Sequence, residues 1–393
     1  MPRGLLGEET SLSTVGKINA TAVKKCGGTF TETKGTVFYR LRTGQDHVSN
    51  MISLMKHGCP LQAIVATYGH DERTVCGWYA RGGEHCRQVH EAIVGQGQID
   101  IQHVQADELC VRTAKLRTDE LQGKERTAQD GHLIQSKPEE SPAVKVDGVV
   151  QCQEQQNSAQ NDRKINHMWM AMAMDVGTRL WLGGVVDVQR NKRLILSLAQ
   201  KVKSCAKNWN FLLSVDGLSC YASAFMFIFS WLIYTGRGGR PKREAAPGMM
   251  IVQVVKEYAR GRVARVTRRI LRGRAVAVAA VLRSTGCAKI NTSFIERLNA
   301  TFRGRLATLV RKGRAIAHTE SRLLEQGMYL TGCTYNFCYF HESLRVLASA
   351  SGTKKWIERT PAMAAGLTDH RWTMKELLGY KPPPKRTTYF VHG

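Results

Sequence analysis

The chain has 393 residues, enough for two or three domains with cores of their own, and a formal net charge of +25 at pH 7, which favours a polyanionic partner. Its eleven cysteines are odd in number and include no Cys-x-x-Cys pair, which argues against a secreted disulfide framework and favours reduced thiols in a cytosol. No signal-peptide pattern opens the sequence, and the most apolar run, residues 222–234, is too short for a membrane span and is predicted to be a buried element.

Residues 1–45 combine a small, polar start, which we expect to be disordered, with a segment that has features of a zinc-ribbon knuckle. Cys26 opens a Cys-Gly turn that is followed by an aromatic strand pattern. A tetrahedral zinc ion needs four ligands, and the neighbouring sequence supplies neither the second cysteine of this knuckle nor a partner knuckle. We therefore expect a degenerate zinc ribbon, of which Cys26 is the remnant, without bound zinc.

Residues 46–95 contain three runs of helical spacing separated by short breaks. Pro60 can open the second helix, and Asp71 can cap the third. This order predicts a helix-turn-helix domain whose third helix enters the major groove of DNA. The residues of that helix expected to contact DNA are Arg73, Thr74, Trp78 and Arg81. The alternative is an ordinary three-helix packing unit with Trp78 in its core.

Residues 99–112 form a loosely alternating pattern that predicts a strand, and this strand carries Asp107 and Glu108. The composition then changes abruptly. Residues 118–164 are rich in glutamine and charged side chains and contain no Phe, Trp or Tyr. Such a segment can bury little apolar surface, so we expect a disordered insert that leaves the core undisturbed.

Residues 168–174 and 179–186 predict two apolar strands joined by a turn at Asp175. Residues 191–205 follow as an amphipathic helix, and residues 210–215 as a largely apolar strand that ends at Asp216. An acid at the end of a buried strand is well placed for chemistry. The alternative is a turn aspartate that caps whatever follows.

The most basic stretch is residues 258–319, which contain fifteen Lys and Arg residues and one carboxylate, Glu296. Helical spacing over residues 290–306 places an apolar stripe on one face and Glu296, Asn299 and Arg303 on another. An acid beside phosphate-binding arginines suits Mg²⁺ that also contacts nucleic acid. The alternative is a solvated glutamate on the helix surface.

The last 74 residues of the chain begin with a helical pattern over residues 320–346 that is rich in aromatic side chains. Core packing is their simplest role, and stacking on nucleic-acid bases is the alternative. The pattern after Ser351 predicts a mobile extension, and we place the boundary of this C-terminal extension at residues 347–393.

Several motifs together resemble the DDE transposases of the insertion-sequence-one family. The motifs are Gln105-Ala-Asp-Glu-Leu, Met170-Ala-Met-Ala-Met-Asp, Ser214-Val-Asp-Gly, Asn291-Thr-Ser-Phe-Ile-Glu-Arg-Leu-Asn and Arg359-Thr-Pro-Ala-Met-Ala. The resemblance implies an α/β fold. A zinc ribbon and a helix-turn-helix would precede an RNase H-like catalytic domain over residues 99–346, with a mixed five-stranded sheet flanked by helices. The reduced ribbon, the glutamine-rich insert and the apolar residues 225–233 depart from this pattern.

By this resemblance the catalytic and metal-binding acids are Asp107, Asp216 and Glu296, holding two Mg²⁺ or Mn²⁺ ions. The implied activity is cutting DNA at the ends of an insertion sequence and joining the 3′-OH ends to target DNA. Further residues expected to bind DNA phosphates are Arg297, Arg303, Arg305, Arg311, Lys312 and Arg314. Glu108 and Asp175 compete as ligands, and strand alternation is expected to turn Glu108 away from Asp107.

The expected partners are double-stranded DNA, as terminal inverted repeats and as target, and a second copy of the chain when two ends are paired. The expected location is the cytoplasm of a prokaryote, at the nucleoid. Two rival functions remain at this point. One is a decayed or repurposed transposase that only binds DNA, and the other is a nuclease that cuts DNA without joining strands.

Overall fold

The structure is a computed structural model that describes residues 20–22, 29–113, 167–234, 236, 241–309, 322–348 and 355–383. The predicted insert at 118–164, Cys26, Arg311, Lys312 and Arg314 lie outside these residues. The elements up to the middle of the chain are β1 (Ala20–Ala22), β2 (Thr29–Thr31), α1 (Gln45–Lys56), α2 (Leu61–Tyr68), α3 (Glu72–Ile93), β3 (His103–Arg112), β4 (His167–Asp175), β5 (Trp181–Asp187), α4 (Lys192–Cys205), β6 (Leu212–Val215) and α5 (Cys220–Ile228).

The remaining elements begin with a hairpin that leads into the basic part of the chain. They are β7 (Ser230–Ile233), β8 (Lys242–Ala245), β9 (Met250–Ala259), β10 (Arg262–Arg272), α6 (Ala275–Ser284), α7 (Ser293–Arg305), α8 (Leu323–Cys338), β11 (Val346–Leu347), β12 (Trp356–Ile357), α9 (Pro361–Ala364) and α10 (Met374–Gly379). No described helix combines the length and the apolar character needed to cross a bilayer.

The centre of the molecule is a mixed sheet of six strands in the order β10-β9-β6-β3-β4-β5, flanked by helices. Strands β3, β4 and β5 are antiparallel to one another, whereas β6 runs parallel to β3 and β9 parallel to β6. The expected sheet had five strands. The sixth, β10, forms because Arg260 and Gly261 adopt positive φ angles of 50° and 75° and turn the chain back along β9.

Strand β3 lies in the interior of the sheet with helices over both faces, and His103, Val104, Gln105 and Ala106 are fully buried. Burial on both faces explains why this strand reads as only loosely alternating in sequence. The predicted strands and the helix at residues 191–205 are confirmed within one or two residues at most ends. Asn191 caps α4, because its side-chain oxygen accepts hydrogen bonds from the backbone N–H groups of Arg193 and Leu194.

The three predicted N-terminal helices are present, and Asp71 caps α3 by accepting hydrogen bonds from the backbone N–H groups of Arg73 and Thr74. Helix α3 is long, at 22 residues, and packs along α8. Its buried side chains Val75 and Trp78 belong to the same continuous apolar core as the sheet. The core is therefore shared between residues 46–95 and the sheet.

Close packing of α3 on α8 predicts opposite effects of alanine at two glycines of α3. A Cβ atom at Gly83 would lie 2.5 Å from the carbonyl oxygen of Gln326, whereas one at Gly77 would meet nothing within 4 Å. We expect Gly83→Ala to lower the free energy of unfolding by about 2 kcal/mol or more. Gly77→Ala should raise it by about 0.5–1 kcal/mol through helix propensity alone. Urea unfolding of both variants measures this, and equal effects would contradict the packing.

The predicted mobile C-terminal extension is wrong for residues 355–383, which pack onto the body of the protein. The ring of Trp372 stacks on Phe337 with centroids 4.6 Å apart. Leu377 and Leu378 of α10 are fully buried, and the Leu378 carbonyl accepts a hydrogen bond from the backbone N–H of Val37. Burial of these apolar side chains stabilises the ordered segment, whereas a polar extension would have no such contribution to hold it in place.

The prediction that residues 222–234 are buried holds only in part. Phe225 and Phe229 are fully buried, but Trp231, Leu232 and Ile233 of β7 are exposed in a hairpin with β8. Tyr234, just after this strand, is 75% exposed. The burial ends because the chain leaves the core after Phe229.

Candidate metal centre

Asp107 and Asp216 come together because they occupy matching positions in the register of the adjacent parallel strands β3 and β6. Strands β3 and β6 pair through Gln105 and Ser214, so Asp107 and Asp216 each lie two residues further along. Strand β6 ends at Val215, and the two chains separate at this point. A gap at the carboxyl end of a parallel strand is a common place for polar function in α/β sheets. Carboxylate oxygens of the two aspartates lie within 4.8 Å of each other.

Glu108 joins this cluster, which corrects the expectation that strand alternation turns it away. One of its carboxylate oxygens lies within 4.8 Å of oxygens of both Asp107 and Asp216. The long side chain reaches around the strand because β6 leaves this edge of β3 unpaired. Glu108 is also held in place, since it accepts hydrogen bonds from Arg190 Nε at 2.5 Å and from the Tyr221 hydroxyl at 2.7 Å.

Glu296 reaches the same cleft from helix α7. The cleft has a volume of about 750 Å³ and is lined by Asp107, Asp216 and Glu296 together. Glu296 Oε1 accepts hydrogen bonds from Lys256 Nζ at 2.5 Å and from Thr292 Oγ1 at 2.8 Å. The apolar stripe of α7 is buried as predicted, so the opposite face of the helix is turned to the cleft.

Asn299 is buried on that face and holds Asp107. Its Nδ2 donates a hydrogen bond to Asp107 Oδ2 at 2.8 Å, while its Oδ1 is buried without a hydrogen-bond partner. The sequence left supporting and surface roles equally open for this residue. A buried acceptor without a donor is costly in a folded protein, and it marks a place where a further polar ligand fits.

The charges of the cluster are only partly balanced. Burial, reinforced by Glu108 and Asp216 and to a smaller extent by Glu296, raises the pKa of Asp107 to about 7. Arg190 contacts Glu108 and lies 3.5 Å from Asp216, and Lys256 pairs with Glu296. Carboxylates forced together in this way bind protons more tightly than they do in water, and a divalent cation relieves the same repulsion.

A hard divalent ion fits this set of donors. The convergent groups are carboxylates, which are the ligands that Mg²⁺ and Mn²⁺ prefer, and the orphaned Asn299 oxygen adds an acceptor for a metal-bound water. Asp175, the other competing ligand, is buried and accepts hydrogen bonds from the Thr178 backbone and hydroxyl. It therefore caps a turn.

The raised pKa of Asp107 predicts a pH-dependent stability of the metal-free protein. Because the folded-state pKa lies above the ordinary value of 3.8, the contribution of this group to stability is present below pH 4 and is lost as the pH rises through about 7. Asp107→Asn removes this penalty, and its side-chain oxygen keeps one of the two hydrogen bonds that Asp107 accepts, from the Glu108 backbone N–H and from Asn299 Nδ2. We expect it to raise the free energy of unfolding at pH 8 by on the order of 1–3 kcal/mol.

Urea unfolding at pH 5 and pH 8 in the presence of EDTA measures this effect. The matched control is Asp187→Asn, a strand-end aspartate outside the cleft that accepts a hydrogen bond from the backbone N–H of Gln189. If Asp107→Asn is less stable than wild type at both pH values, burial of the Asp107 carboxylate beside the other acids does not destabilise the folded protein.

The predicted DNA contacts of α3 divide into exposed and buried residues. Arg73 and Thr74 are exposed in the first turn of the helix. Trp78 is only 4% exposed and packs in the core, so it has no surface with which to reach a DNA groove. Arg81 donates a hydrogen bond to the Tyr39 carbonyl and is half-buried.

The predicted DNA contacts of α7 lie on two sides of the helix. Arg303 lines the cleft beside the acids. Arg297 is exposed, and Arg305 is half-buried with its guanidinium 4.1 Å from the centre of the Tyr339 ring. Both Arg297 and Arg305 face a second pocket, away from the acids.

An arginine-rich ribbon beside the cleft was not predicted. We call the outer part of the β9–β10 hairpin, residues 256–269, the arginine ribbon. Strand β9 pairs with β6 only as far as Gln253, which lies opposite Val215, the residue before Asp216. The last six residues of β9 extend beyond this point by about 20 Å, at about 3.4 Å per residue. The ribbon is almost entirely exposed. Its arginines are Arg260, Arg262, Arg265, Arg268 and Arg269.

Comparison of the chain with protein-family models, with curated proteins and with solved structures gave no match.

Proposed function

We propose that this protein is a DDE transposase of the insertion-sequence-one type, which cuts DNA at the ends of a mobile element and joins the 3′-OH ends to target DNA. The observation that carries this proposal is the convergence of Asp107, Asp216 and Glu296 from two strands and a helix on one cleft. That cleft lies at the foot of a strongly basic ribbon. DNA phosphoryl transfer requires carboxylates that bind metal ions and, beside them, basic side chains that bind the DNA phosphates.

The order of the elements supports an RNase H-like catalytic domain. Asp107 lies on β3, the first strand of the central sheet, Asp216 directly follows β6, the fourth, and Glu296 lies on a later helix, α7. This is the order that the resemblance of the sequence implies. By the same proposal α1–α3 form the helix-turn-helix, with Arg73 and Thr74 at its DNA-facing end, and the β1–β2 pair is what remains of the zinc ribbon.

Asp107, Asp216 and Glu296 are the residues that would hold the divalent ions. When bound there, two such ions supply an activated water or 3′-OH and stabilise the leaving oxygen of an in-line displacement. Asn299 orients the Asp107 carboxylate through its 2.8 Å hydrogen bond. Arg190 and Tyr221 keep Glu108 in place. Lys256 holds Glu296 in the metal-free protein and becomes available to a DNA phosphate once Glu296 takes up another partner.

The proposed partners are the double-stranded ends of the element and a target duplex. The arginine ribbon and Arg303 lie on the two sides of the cleft and provide cations for the duplex phosphates. Pairing of two element ends would bring together at least two copies of the chain.

Strand transfer tests this function. A labelled duplex with a free 3′-OH end is incubated with supercoiled plasmid, protein and Mn²⁺ at low salt. We expect wild type to join the label to the plasmid and Glu296→Gln to bind DNA without joining it. The matched control is Glu244→Gln, which removes the same charge from an exposed position of β8, outside the cleft and the arginine ribbon, and should join normally.

The same assay separates the two rivals. Metal-dependent cuts without joined product would identify a nuclease. DNA binding by wild type with neither cutting nor joining, in Mn²⁺ and in Mg²⁺, would reject catalysis and favour a DNA-binding protein derived from a transposase.

A further inference from the structure

A second pocket, of about 610 Å³, lies on the side of α7 that faces away from the acids. Helix α7, the end of α8, residues 339–345 and Trp356 of β12 line it. Four arginines line it, Arg179, Arg297, Arg305 and Arg345, together with one carboxylate, Glu342, and aromatic residues that include Trp356. A concave site of this volume fits a small molecule or a single nucleotide.

The pocket concentrates positive charge that the described residues do not neutralise. Arg179, Arg297 and Arg305 form no ion pair within the described part of the chain. Burial, together with Arg179 and Arg297, holds the pKa of His341 below its ordinary value, so these cations lie close together. The carboxylate that lines the pocket, Glu342, pairs with Arg345 at 3.9 Å and with none of these three arginines. Convergent arginines that no carboxylate pairs with are an arrangement that a phosphate stabilises.

The guanidinium of Arg305 has one donor atom without a hydrogen-bond partner. Arg305 Nη1 is buried and has no hydrogen-bond partner. Its guanidinium lies over the Tyr339 ring, which fixes its position without satisfying this donor. A buried guanidinium N–H without an acceptor is costly, and a phosphate oxygen in the pocket would satisfy it.

Aromatic rings at the mouth of the same pocket are accessible. Trp356 is 37% exposed and Phe340 is 39% exposed. Arg345 lies over Trp356 with its guanidinium carbon 4.7 Å from the ring centre. Exposed rings beside arginines form the kind of surface on which unpaired bases stack.

We propose that this pocket binds one unpaired nucleotide, with its phosphate on Arg179, Arg297 and Arg305 and its base against Trp356. The position of the pocket favours a nucleotide of the DNA strand that occupies the acidic cleft, an assignment that rests on the proposed function. Glu296 and Arg297 are consecutive residues of α7, about 100° apart around the helix, and each lines one of the two pockets. A helix is about 10 Å across, a distance that about three nucleotides of a strand cover.

Fluorescence anisotropy of labelled DNA tests the proposal with the full-length protein in EDTA, so that no catalysis is needed. Four ligands are compared: a blunt duplex, the same duplex with a three-nucleotide single-stranded overhang, the same overhang with abasic sites, and dAMP as an unlabelled competitor. The variants are Arg297→Ala and Trp356→Ala. The matched control is Arg283→Ala, an equally exposed arginine in the last turn of α6.

We expect wild type to bind the overhang duplex about 10-fold more tightly than the blunt duplex, since stacking of one base contributes on this order. Arg297→Ala should abolish this preference and leave blunt-duplex binding within about twofold of the Arg283→Ala control. Trp356→Ala should reduce the preference to that of the abasic overhang.

Three outcomes would overturn the proposal or its DNA assignment. If dAMP competes strongly in an Arg297-dependent manner while the overhang gives no preference, the pocket binds a free nucleotide and the DNA assignment fails. If the abasic overhang binds as tightly as the normal one, the pocket recognises phosphate alone and the base contact is rejected. If no ligand depends on Arg297, the pocket is not a nucleotide site. If wild type prefers the overhang duplex as expected but shows no strand transfer, the proposed function alone is contradicted.

Discussion

Asp216→Asn should lower metal-dependent cutting and joining of DNA by at least about 1000-fold, because one of the three convergent carboxylates is then no longer an anionic ligand. A loss of this size corresponds to about 4 kcal/mol of transition-state stabilisation. The substitution keeps the local structure, since Asp216 Oδ1 accepts a hydrogen bond from the Leu218 backbone N–H at 3.0 Å and an asparagine oxygen can do the same. DNA binding in EDTA should be unchanged or tighter, because a negative charge leaves the cleft.

Asp187→Asn is the matched control for this variant. Asp187 also ends a strand and accepts a hydrogen bond from a backbone N–H two residues later, but it does not line the cleft. We expect normal rates for Asp187→Asn in the strand-transfer assay. If Asp216→Asn joins DNA as fast as this control, Asp216 serves only to cap its turn, as the sequence alone also allowed.

Removal of three arginines from the arginine ribbon should weaken DNA binding about 100-fold at 0.1 M salt. The variant replaces Arg260, Arg262 and Arg265 with glutamine, all of them exposed and without an ion pair in the described residues. Each phosphate contact contributes about 0.9 to the slope of log affinity against log salt concentration. The slope should therefore become shallower by about 2.7 if each arginine contacts one phosphate.

A control with the same change of charge uses Lys207, Lys242 and Arg283, which are exposed and do not line the cleft. Anisotropy over a series of salt concentrations compares the two triple variants. Equal slopes in the ribbon variant and in this control would show that net charge, and not the ribbon, attracts the DNA. The fold of both variants is checked by their unfolding midpoints.

The sequence predicts the central strands well because their patterns are local. Residues 168–174 and 179–186 are apolar runs on either side of a turn, and both are strands in the structure. The helix that carries Glu296 also has the predicted orientation, since Ile295, Leu298 and Phe302 of its apolar stripe are buried. The three acids of the resemblance line one cleft.

The features that the sequence did not predict depend on contacts between distant residues. Strand β10 is exposed and rich in arginine, so it lacks the apolar alternation that marks a strand, and its pairing with β9 decides its conformation. Glu108 lies beside Asp107 with its carboxylate held by Arg190 and Tyr221, which are 82 and 113 residues away in the sequence. The C-terminal segment was predicted to be mobile because its packing partners are distant in sequence. The ring on which Trp372 stacks, Phe337, lies 35 residues earlier.

Titration of the metal-free protein with Mn²⁺ at pH 8, followed by loss of the EPR signal of the free ion, tests the central claim most directly. It needs no knowledge of the DNA sequence that the protein recognises. We expect saturable binding by wild type and by Asp187→Asn, and loss of that binding when Asp107→Asn and Asp216→Asn are combined. Absence of saturable binding by wild type, or equal binding by the double variant, would contradict a metal centre at these acids.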